Sequence, residues 1–393
     1  MIEAAITGIG MSAIGRNTGR PAMLHLAEAA REAIADAGLT MADIDGITTY
    51  PGKANNSPGM SPLGCTEVRE ALGLKTRWHS SSAEGPAQMS PVMIAAMAVT
   101  TGMARHVLCF RALTESSSQS AGRRASVPSG NGGRIDGWFQ WLLPMGAFSA
   151  SNWAAMFARR HMHEFGLTRD MLGAQCVLQR ANAQLNPRAL FNGTPLSMDD
   201  YRGARMISDP LGLFDCDIPI DGACVVIVSA SDAAADTRKA PIRIAGMSAA
   251  LNDRDSWDQR ADLTAMASHD CAADLWAHSD FNPADVDVAG LYDGFSIFVP
   301  MWLEAFGFCG RGEAGELIAS GGTALNGRIP TNTGGGQLSA GRLHGFGHLH
   351  EVCTQIWGEA GERQVTGART GVVGMGGGPL GGAMLLHREG ALA

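Results

Sequence analysis

The sequence has no Cys-x-x-Cys pair; its eight cysteines are scattered singly over 393 residues. That spacing disfavours a structural zinc site, whose ligands come in close pairs. Cys109 and Cys224 lie in apolar, strand-like runs and read as buried thiols. No stretch of about 18 apolar residues is present, so no membrane span is expected. Basic residues are in deficit: 30 Lys and Arg against 38 Asp and Glu give a net charge of −8. A nucleic-acid partner wants a basic stripe, so none is expected. Met1-Ile-Glu-Ala-Ala runs straight into strand-like sequence, without the basic and apolar regions of a signal peptide. The expectation is a cytoplasmic protein.

What is present describes a compact chain of one large or two medium domains. Hydrophobic residues make up 45% and charged ones 17%, and the 51 glycines point to tight turns and close packing. The chain also repeats itself. Met41-Ala-Asp-Ile-Asp-Gly-Ile-Thr-Thr-Tyr50 matches Pro283-Ala-Asp-Val-Asp-Val-Ala-Gly-Leu-Tyr292 position by position. The shared residues are Ala42/Ala284, Asp43/Asp285, Asp45/Asp287 and Tyr50/Tyr292. Each copy follows an Ala-rich helical segment, Ala22–Ala37 or Ala261–His278, and each of those follows a strand, Ala4–Ile9 or Ile242–Met247. Two halves of one βαβ-type topology result, 1–240 and 241–393, joined near Ala233–Pro241.

Within the first half, Pro86–Gly102 reads as a buried helix leading into a strand at His106–Phe110, and Cys224–Ser229 as another short strand. Glu115–Arg134, rich in Ser, Gly and Arg, reads as a loop. Trp138 to about Tyr201 is mostly helical and interrupts the strand order as an insertion, about 113–205 with its flanks. In the second half Gly345–Trp357 is the expected counterpart of the Pro86 helix, with Val365–Met375 and Gly381–His387 as the last strands.

The chemistry is expected between Tyr292 and Glu351. Tyr292-Asp-Gly-Phe closes a strand; Asn332-Thr-Gly-Gly-Gly-Gln337 and Gly341-Arg-Leu-His344-Gly345 then let backbone approach a ligand before a helix. Tyr292 is one of three tyrosines, and a phenol beside a carbonyl can donate a hydrogen bond or relay a proton; it could equally be a strand-end aromatic, as Tyr50 would be. His344 offers an imidazole that ordinarily titrates near neutrality, against a capping or core role. Arg342 could bind a thioester oxygen, a carboxylate or a phosphate, or be a surface residue. Asp293 reads as a turn-stabilising neighbour or a direct participant. The His344, His348, His350 and Glu351 cluster forms no sharp metal motif, and no metal is expected. Ser80–Ser82 read as loop and cap more than as a nucleophile. Two glycine patterns imitate a dinucleotide fingerprint: Gly376-Gly-Gly378-Pro-Leu-Gly381 is followed by a strand, not a helix, and after Gly8-Ile-Gly10 the helix starts too late.

Several motifs together resemble the thiolase superfamily over essentially the whole chain. They are Ser208-Asp-Pro-Leu with Asp221-Gly-Ala-Cys-Val-Val, Tyr292-Asp-Gly-Phe, Asn332-Thr-Gly-Gly-Gly, and Gly374-Met-Gly-Gly-Gly-Pro-Leu-Gly-Gly. The nearest branch is the sterol-carrier-protein-type, or lipid-transfer, thiolases, which includes thiolase-like acyl-CoA aldolases. The resemblance implies an α/β thiolase fold, two duplicated halves in a five-layer αβαβα core, acting on coenzyme A thioesters with no bound cofactor. It also implies a homodimer and a small zinc-ribbon/OB-fold partner. Thiolases place a nucleophilic Cys where this chain reads Ser80-Ser-Ser-Ala-Glu-Gly85-Pro-Ala, a Gly-His-Pro where it has Gly341-Arg342-Leu343, and a second Cys where it has Val372-Val-Gly-Met375. The aldolases resemble it in Tyr292 and His344-Gly345, with a second Tyr at the Arg342 position.

The expected function is therefore retro-aldol cleavage of a bulky, hydrophobic, steroid- or lipid-like β-hydroxyacyl-CoA. Tyr292 and His344 are the expected proton-transfer groups, with Arg342 and the amides of Gly85 and Gly334, Gly335 and Gly336 at the oxyanion, beside Asn332 and Asp293. Trp138, Trp141, Met145, Trp153 and Met156 would line the acyl pocket, though core packing explains them equally well. An acetyl-CoA acetyltransferase or 3-ketoacyl-CoA thiolase activity, and a non-catalytic acyl-CoA- or lipid-binding subunit, remain as alternatives.

Overall fold

The computed structural model describes residues 3–53, 57–82, 87–122, 135–233, 237–252, 254 and 256–389. The strands are β1 (Ala4–Met11), β2 (Gly46–Thr49), β3 (Trp78–Ser81), β4 (His106–Thr114), β5 (Met206–Ser208), β6 (Leu211–Gly212), β7 (Asp221–Ala230), β8 (Ile242–Leu251), β9 (Val288–Leu291), β10 (Thr370–Met375) and β11 (Leu380–His387). The helices are α1 (Ala22–Asp36), α2 (Cys65–Leu72), α3 (Ser90–Thr100), α4 (Glu115–Ser120), α5 (Phe139–Leu142), α6 (Ala150–Phe165), α7 (Arg169–Gln184), α8 (Met198–Gly203), α9 (Ala267–Ala277), α10 (Phe298–Ala305), α11 (Ala314–Ala319), α12 (Gly336–Ser339) and α13 (Phe346–Trp357).

Nine strands run in the order β3-β2-β4-β7-β1-β8-β11-β10-β9. Read outward from the central β1–β8 contact, which pairs only Ala5 with Arg243 and Ile6 with Ile242, the two sides carry one pattern. On one side β1 and β7 and then β7 and β4 pair antiparallel, and β4 and β2 pair parallel. On the other side β8 and β11, β11 and β10 do the same, and β10 and β9 pair parallel. Thr49 and Leu291 thus end equivalent strands, and the tyrosine after each sits at an equivalent strand end.

Strand alternation sorts side chains into separate cores. On β4, Val107 and Cys109 face an inner core with Val92 and Val99 of α3 and with Leu349, Val352 and Ile356 of α13. Leu108 and Phe110 face the opposite way, against Leu26, Ala29 and Ala33 of α1. On the second side, Ala289, Leu291 and Val372 face Leu275 of α9, Trp302 of α10 and Phe306 just after it. Helix, sheet, inner helices, sheet and helix make the five layers. The Gly8–Gly10 pair serves this stacking: a Cβ on Gly8 would lie 2.3 Å from the Ala33 carbonyl oxygen, and one on Gly10 2.2 Å from that of Ala29. These glycines seat α1 on β1 and leave no cradle for a phosphate.

Two segments differ from the sequence expectation. The helix read from Pro86 begins at Ser90, after one 3₁₀ turn. The segment read as a loop from Glu115 opens instead with α4, because Asp221 accepts hydrogen bonds from the Ser117 amide and hydroxyl and holds that turn. Gly376–Pro379 makes the hairpin turn between β10 and β11, and a Cβ at Gly378 would meet the Trp257 ring at 2.4 Å.

Candidate active site

The same alternation aims the site. Val288 at the start of β9 faces the inner core, so Gly290 and Tyr292 follow it inward; Gly290 lies against Val352 and His348 of α13. Asn332, in a left-handed conformation with φ of 51°, fastens the strand end. Its carboxamide accepts from the Leu291 amide at 2.8 Å and donates to the Leu291 carbonyl at 2.9 Å. Both polar groups of Asn332 are spent on backbone, which makes it a brace for the site. Beyond it, the Tyr292 ring stacks on Phe298 at 6.1 Å and its hydroxyl curls over Gly294, where a Cβ would approach to 2.8 Å. Burial, reinforced by the charges of Asp217 and Asp293, raises the Tyr292 pKa, so the phenol keeps its proton at neutral pH.

Asp293 next to it is fully buried, and both oxygens are occupied. Oδ1 accepts from the Gln337 amide at 3.0 Å and from His348 Nε2 at 2.8 Å; Oδ2 accepts from the Leu338 amide at 3.2 Å and from the Gln179 carboxamide. This carboxylate caps α12 and ties it to α13 and to α7 of the insertion. The glycines that lead into and open α12 answer the same packing. A Cβ would lie 2.8 Å from Glu351 at Gly334, 2.8 Å from Ala183 at Gly335, and within 2.2 Å of Gln179 and Asp293 at Gly336.

The charged part of the site comes from both halves of the chain. Arg342 donates through Nε to Glu115 at 3.0 Å and through Nη1 to Asp217 at 2.9 Å. His344 is left-handed at φ 48° and buried. Its Nδ1 faces the guanidinium of Arg111, which also donates to the Tyr50 carbonyl. A guanidinium can only donate, so Nδ1 is an acceptor and the proton sits on Nε2, 3.8 Å from Glu115. Burial, with Arg111 and Arg342 adding to it, pushes His344 well below the ordinary histidine range. The expected near-neutral titration is not met: this imidazole is a neutral hydrogen-bond donor. Asp217 is shifted the other way. Burial pushes it up to about 7 although Arg342 pulls the other way, and the Glu115 and Asp293 charges add to the rise.

Tyr292, Arg342 and His344 thus share a region with Asp217, Glu115 and Arg111, which the sequence did not point to. Arg111 could have been found as the one charge in the apolar run from Val107 to Leu113 on an inward-facing position. Glu115 and Asp217 carried no such signal; they arrive through chain separations of 227 and 125 residues. Gly85 lies outside the described residues. His348 and His350 do not join His344: His348 binds Asp293, and His350 sits where burial and the cations Arg188, Arg363 and Lys239 hold it down at about 3. Cys65 and Cys109 are buried thiols, Cys65 pushed up to about 11 and Cys109 well above its usual value, so neither supplies a ready thiolate.

An aromatic row leads away from the phenol. Tyr292 stacks on Phe298, Phe298 meets Trp257 at a tilt at 6.0 Å, Trp257 meets Trp153 at a tilt at 5.6 Å, and Trp153 meets Trp138 edge-on at 4.8 Å. Trp138 and Trp153, two of the residues expected at an acyl pocket, lie in this row, with Phe298 and Trp257 between them and Tyr292. Met156 is half-buried on α6, while Trp141 and Met145 are exposed beyond the row.

Five layers built from two like-patterned halves, with polar groups gathered at the inner strand ends, define a thiolase fold. Residues 249–386 match the family described as Thiolase C-terminal domain-like. The chain is 35% identical over 363 residues to a steroid side-chain-cleaving aldolase of Thermomonospora curvata, covering 90% of each chain. It is 35% identical over 367 residues to the 17-hydroxy-3-oxo-4-pregnene-20-carboxyl-CoA lyase of Mycobacterium tuberculosis, covering 91% of this chain and 92% of that one. A solved structure described as Ltp2-ChsH2(DUF35) aldolase superposes with a TM-score of 0.86 at 33% identity, over 98% of both chains. The chain belongs to the thiolase superfamily, on the branch that holds these aldolases.

Proposed function

We propose that the protein cleaves the Cα–Cβ bond of a bulky, hydrophobic β-hydroxyacyl-CoA by a retro-aldol reaction, without a cysteine nucleophile. One observation carries this reading: a buried phenol, Tyr292, shares the site with Asp217, whose amide bonds the Gly294 carbonyl at 3.1 Å and whose carboxyl meets Arg342 at 2.9 Å, while the thiols of Cys65 and Cys109 are buried and held protonated. The ionised Asp217 draws the phenolic proton as Tyr292 takes the proton of the substrate β-hydroxyl. The Cα–Cβ bond then breaks, the β-carbon leaves as a carbonyl, and the electron pair moves into the thioester as an enolate. Nε2–H of His344 and the Arg342 guanidinium are the donors for the enolate oxygen; donors of this kind are each worth roughly 2.7–4 kcal/mol. The proton returns through Tyr292 to the α-carbon, so no external oxidant, metal or free coenzyme A is consumed. Coenzyme A enters only as part of the substrate.

The aromatic row from Tyr292 to Trp138 supports a wide, flat acyl group, and the relatives' names point to steroid-like ones. The similar Ltp2-ChsH2(DUF35) aldolase carries a DUF35 component in its name, which supports pairing with a small subunit of the zinc-ribbon/OB-fold kind. We take the protein to be a homodimer in the cytoplasm, its chain divided into duplicated halves at 1–240 and 241–393. No described helix is long and apolar enough to cross a membrane.

The test is a panel of β-hydroxyacyl- and β-ketoacyl-CoAs, assayed with and without a DUF35 subunit and with and without free coenzyme A. Cleavage of β-hydroxyacyl-CoA in the absence of free coenzyme A is expected. Turnover confined to β-ketoacyl-CoA plus coenzyme A would establish acyl transfer instead.

A further inference from the structure

The outer face of the first half carries a cavity of about 260 Å³ that the reaction does not use. Strand register explains its place. Ile47 of β2 faces the core under α1, and its register partner on β3 is His79, so the imidazole takes the same outer face. Cys65 of α2 lies over both strands, its thiol donating to the Ser80 carbonyl at 3.2 Å. Thr66 follows it, and Arg69 lies one helical turn further along the same side. Thr76 and Arg77 lead the chain into β3 and close the cavity. Its chemistry is one-sided: two guanidiniums, an imidazole and two hydroxyls line it with no acidic residue, in a chain of net charge −8. Arg77 is held in place, Nε donating to Asp45 at 2.9 Å and Nη2 to the Gly102 carbonyl at 3.1 Å, which fixes the plane of the guanidinium and leaves Nη1 for another acceptor. Arg69 and His79 have no ion-pair or hydrogen-bond partner for their side chains among the described residues. Arg105, Arg188, Arg202 and Arg311, by contrast, each meet a carboxylate.

We propose that this cavity is a binding site for a dianionic phosphate group, held by Arg69 and by Nη1 of Arg77, with Thr66, Thr76 and His79 as further donors. Guanidiniums present paired N–H groups that match phosphate oxygens, and a dianion answers two cations where a carboxylate answers one. The inference is independent of the retro-aldol reading, because the cavity lies on the face of the sheet opposite the inner core. Free orthophosphate and the 3′-phosphate of coenzyme A present the same chemistry, and the experiment separates them.

The full-length wild type, Arg69→Ala and His79→Ala are titrated by isothermal calorimetry at constant ionic strength with sodium phosphate, sodium acetate, coenzyme A and 3′-dephospho-coenzyme A. The wild type is expected to bind phosphate and to leave acetate unbound at the same concentrations. Arg69→Ala should weaken phosphate binding about tenfold, the loss of a charge-assisted contact, and His79→Ala should weaken it less. Both variants should melt as the wild type does, since neither side chain supports a neighbour in the fold; should Arg69→Ala melt lower, His79→Ala carries the comparison. Coenzyme A that competes with phosphate, where the dephospho form does not, supports the site and names the coenzyme as the source. Phosphate binding that coenzyme A leaves untouched supports the site and names orthophosphate or another phosphate ester. Absence of phosphate binding, phosphate binding unchanged in the variants, or acetate binding of equal strength overturns the inference.

Discussion

A carboxylate bonded to an arginine ordinarily stays ionised well into acid. Asp217 does not, because its burial and the neighbouring Glu115 and Asp293 charges outweigh the Arg342 contact and lift it to about 7. If ionised Asp217 is the base, the cleavage rate should rise with pH through about 7, and Asp217→Asn should abolish both that limb and most of kcat; a pH–rate series on the two proteins checks it. The same shift has a stability consequence. Folded Asp217 holds its proton where the unfolded chain has released it, so its contribution falls as pH rises from about 4 to about 7. Melting curves across that window should slope less steeply downward in Asp217→Asn. Tyr292→Phe removes the relay's middle member and should lower kcat by about 10²–10⁴-fold while substrate still binds, as isothermal calorimetry with the substrate CoA ester would show.

The four-residue α12 is too short to hold itself and depends on what surrounds it. Asp293 supplies its N-terminal hydrogen bonds, Gln179 of the insertion steadies Asp293, and the glycines let α7 and α13 close in. Gly336→Ala would place a methyl 2.1 Å from Gln179 and 2.2 Å from Asp293 at φ 59°. It should cost about 2–4 kcal/mol in chemical denaturation and suppress turnover together with stability. Here the limits of sequence reading become physical. The repeat, its helices and its strands were legible because burial imposes periodicity on residues close in the chain, and the Tyr292 and His344 positions followed from glycine-rich turns. Gly334 to Gly336 read as backbone left open for a ligand; the crowding that also demands glycine there is held by Ala183, Gln179 and Glu351 and shows nothing in the local sequence. Asp217 and Glu115 were invisible for the same reason, since an isolated acidic residue shows nothing of the arginine it will meet.

At the scale of the whole molecule, duplication delivers two equivalent strand-end tyrosines and gives them different work. Tyr292 turns its hydroxyl over Gly294 and its ring onto Phe298, whereas Tyr50 offers its carbonyl to Arg111 and its ring to the guanidinium at 5.8 Å. Arg111 in turn reaches His344 across the inner layer, and Glu115 reaches Arg342, so the first half fixes the tautomer and charge of groups the second half carries. Arg111→Lys should leave the Tyr50 carbonyl or His344 Nδ1 without its donor, since a lysine is a single-point cation on a flexible stem. A loss of about 1–3 kcal/mol in stability is expected, with kcat lowered and KM little changed. The fate of one bond, with one reagent withheld, is the most direct test of cysteine-free cleavage. Wild-type protein and Tyr292→Phe would be incubated with a β-hydroxyacyl-CoA, with a DUF35 subunit present and free coenzyme A absent, and products and protein followed by mass spectrometry. The expected result is a shorter acyl-CoA and a carbonyl product from the wild type alone, with unmodified protein mass throughout. Cleavage that waits for free coenzyme A, or a protein carrying a covalent acyl group, would contradict it.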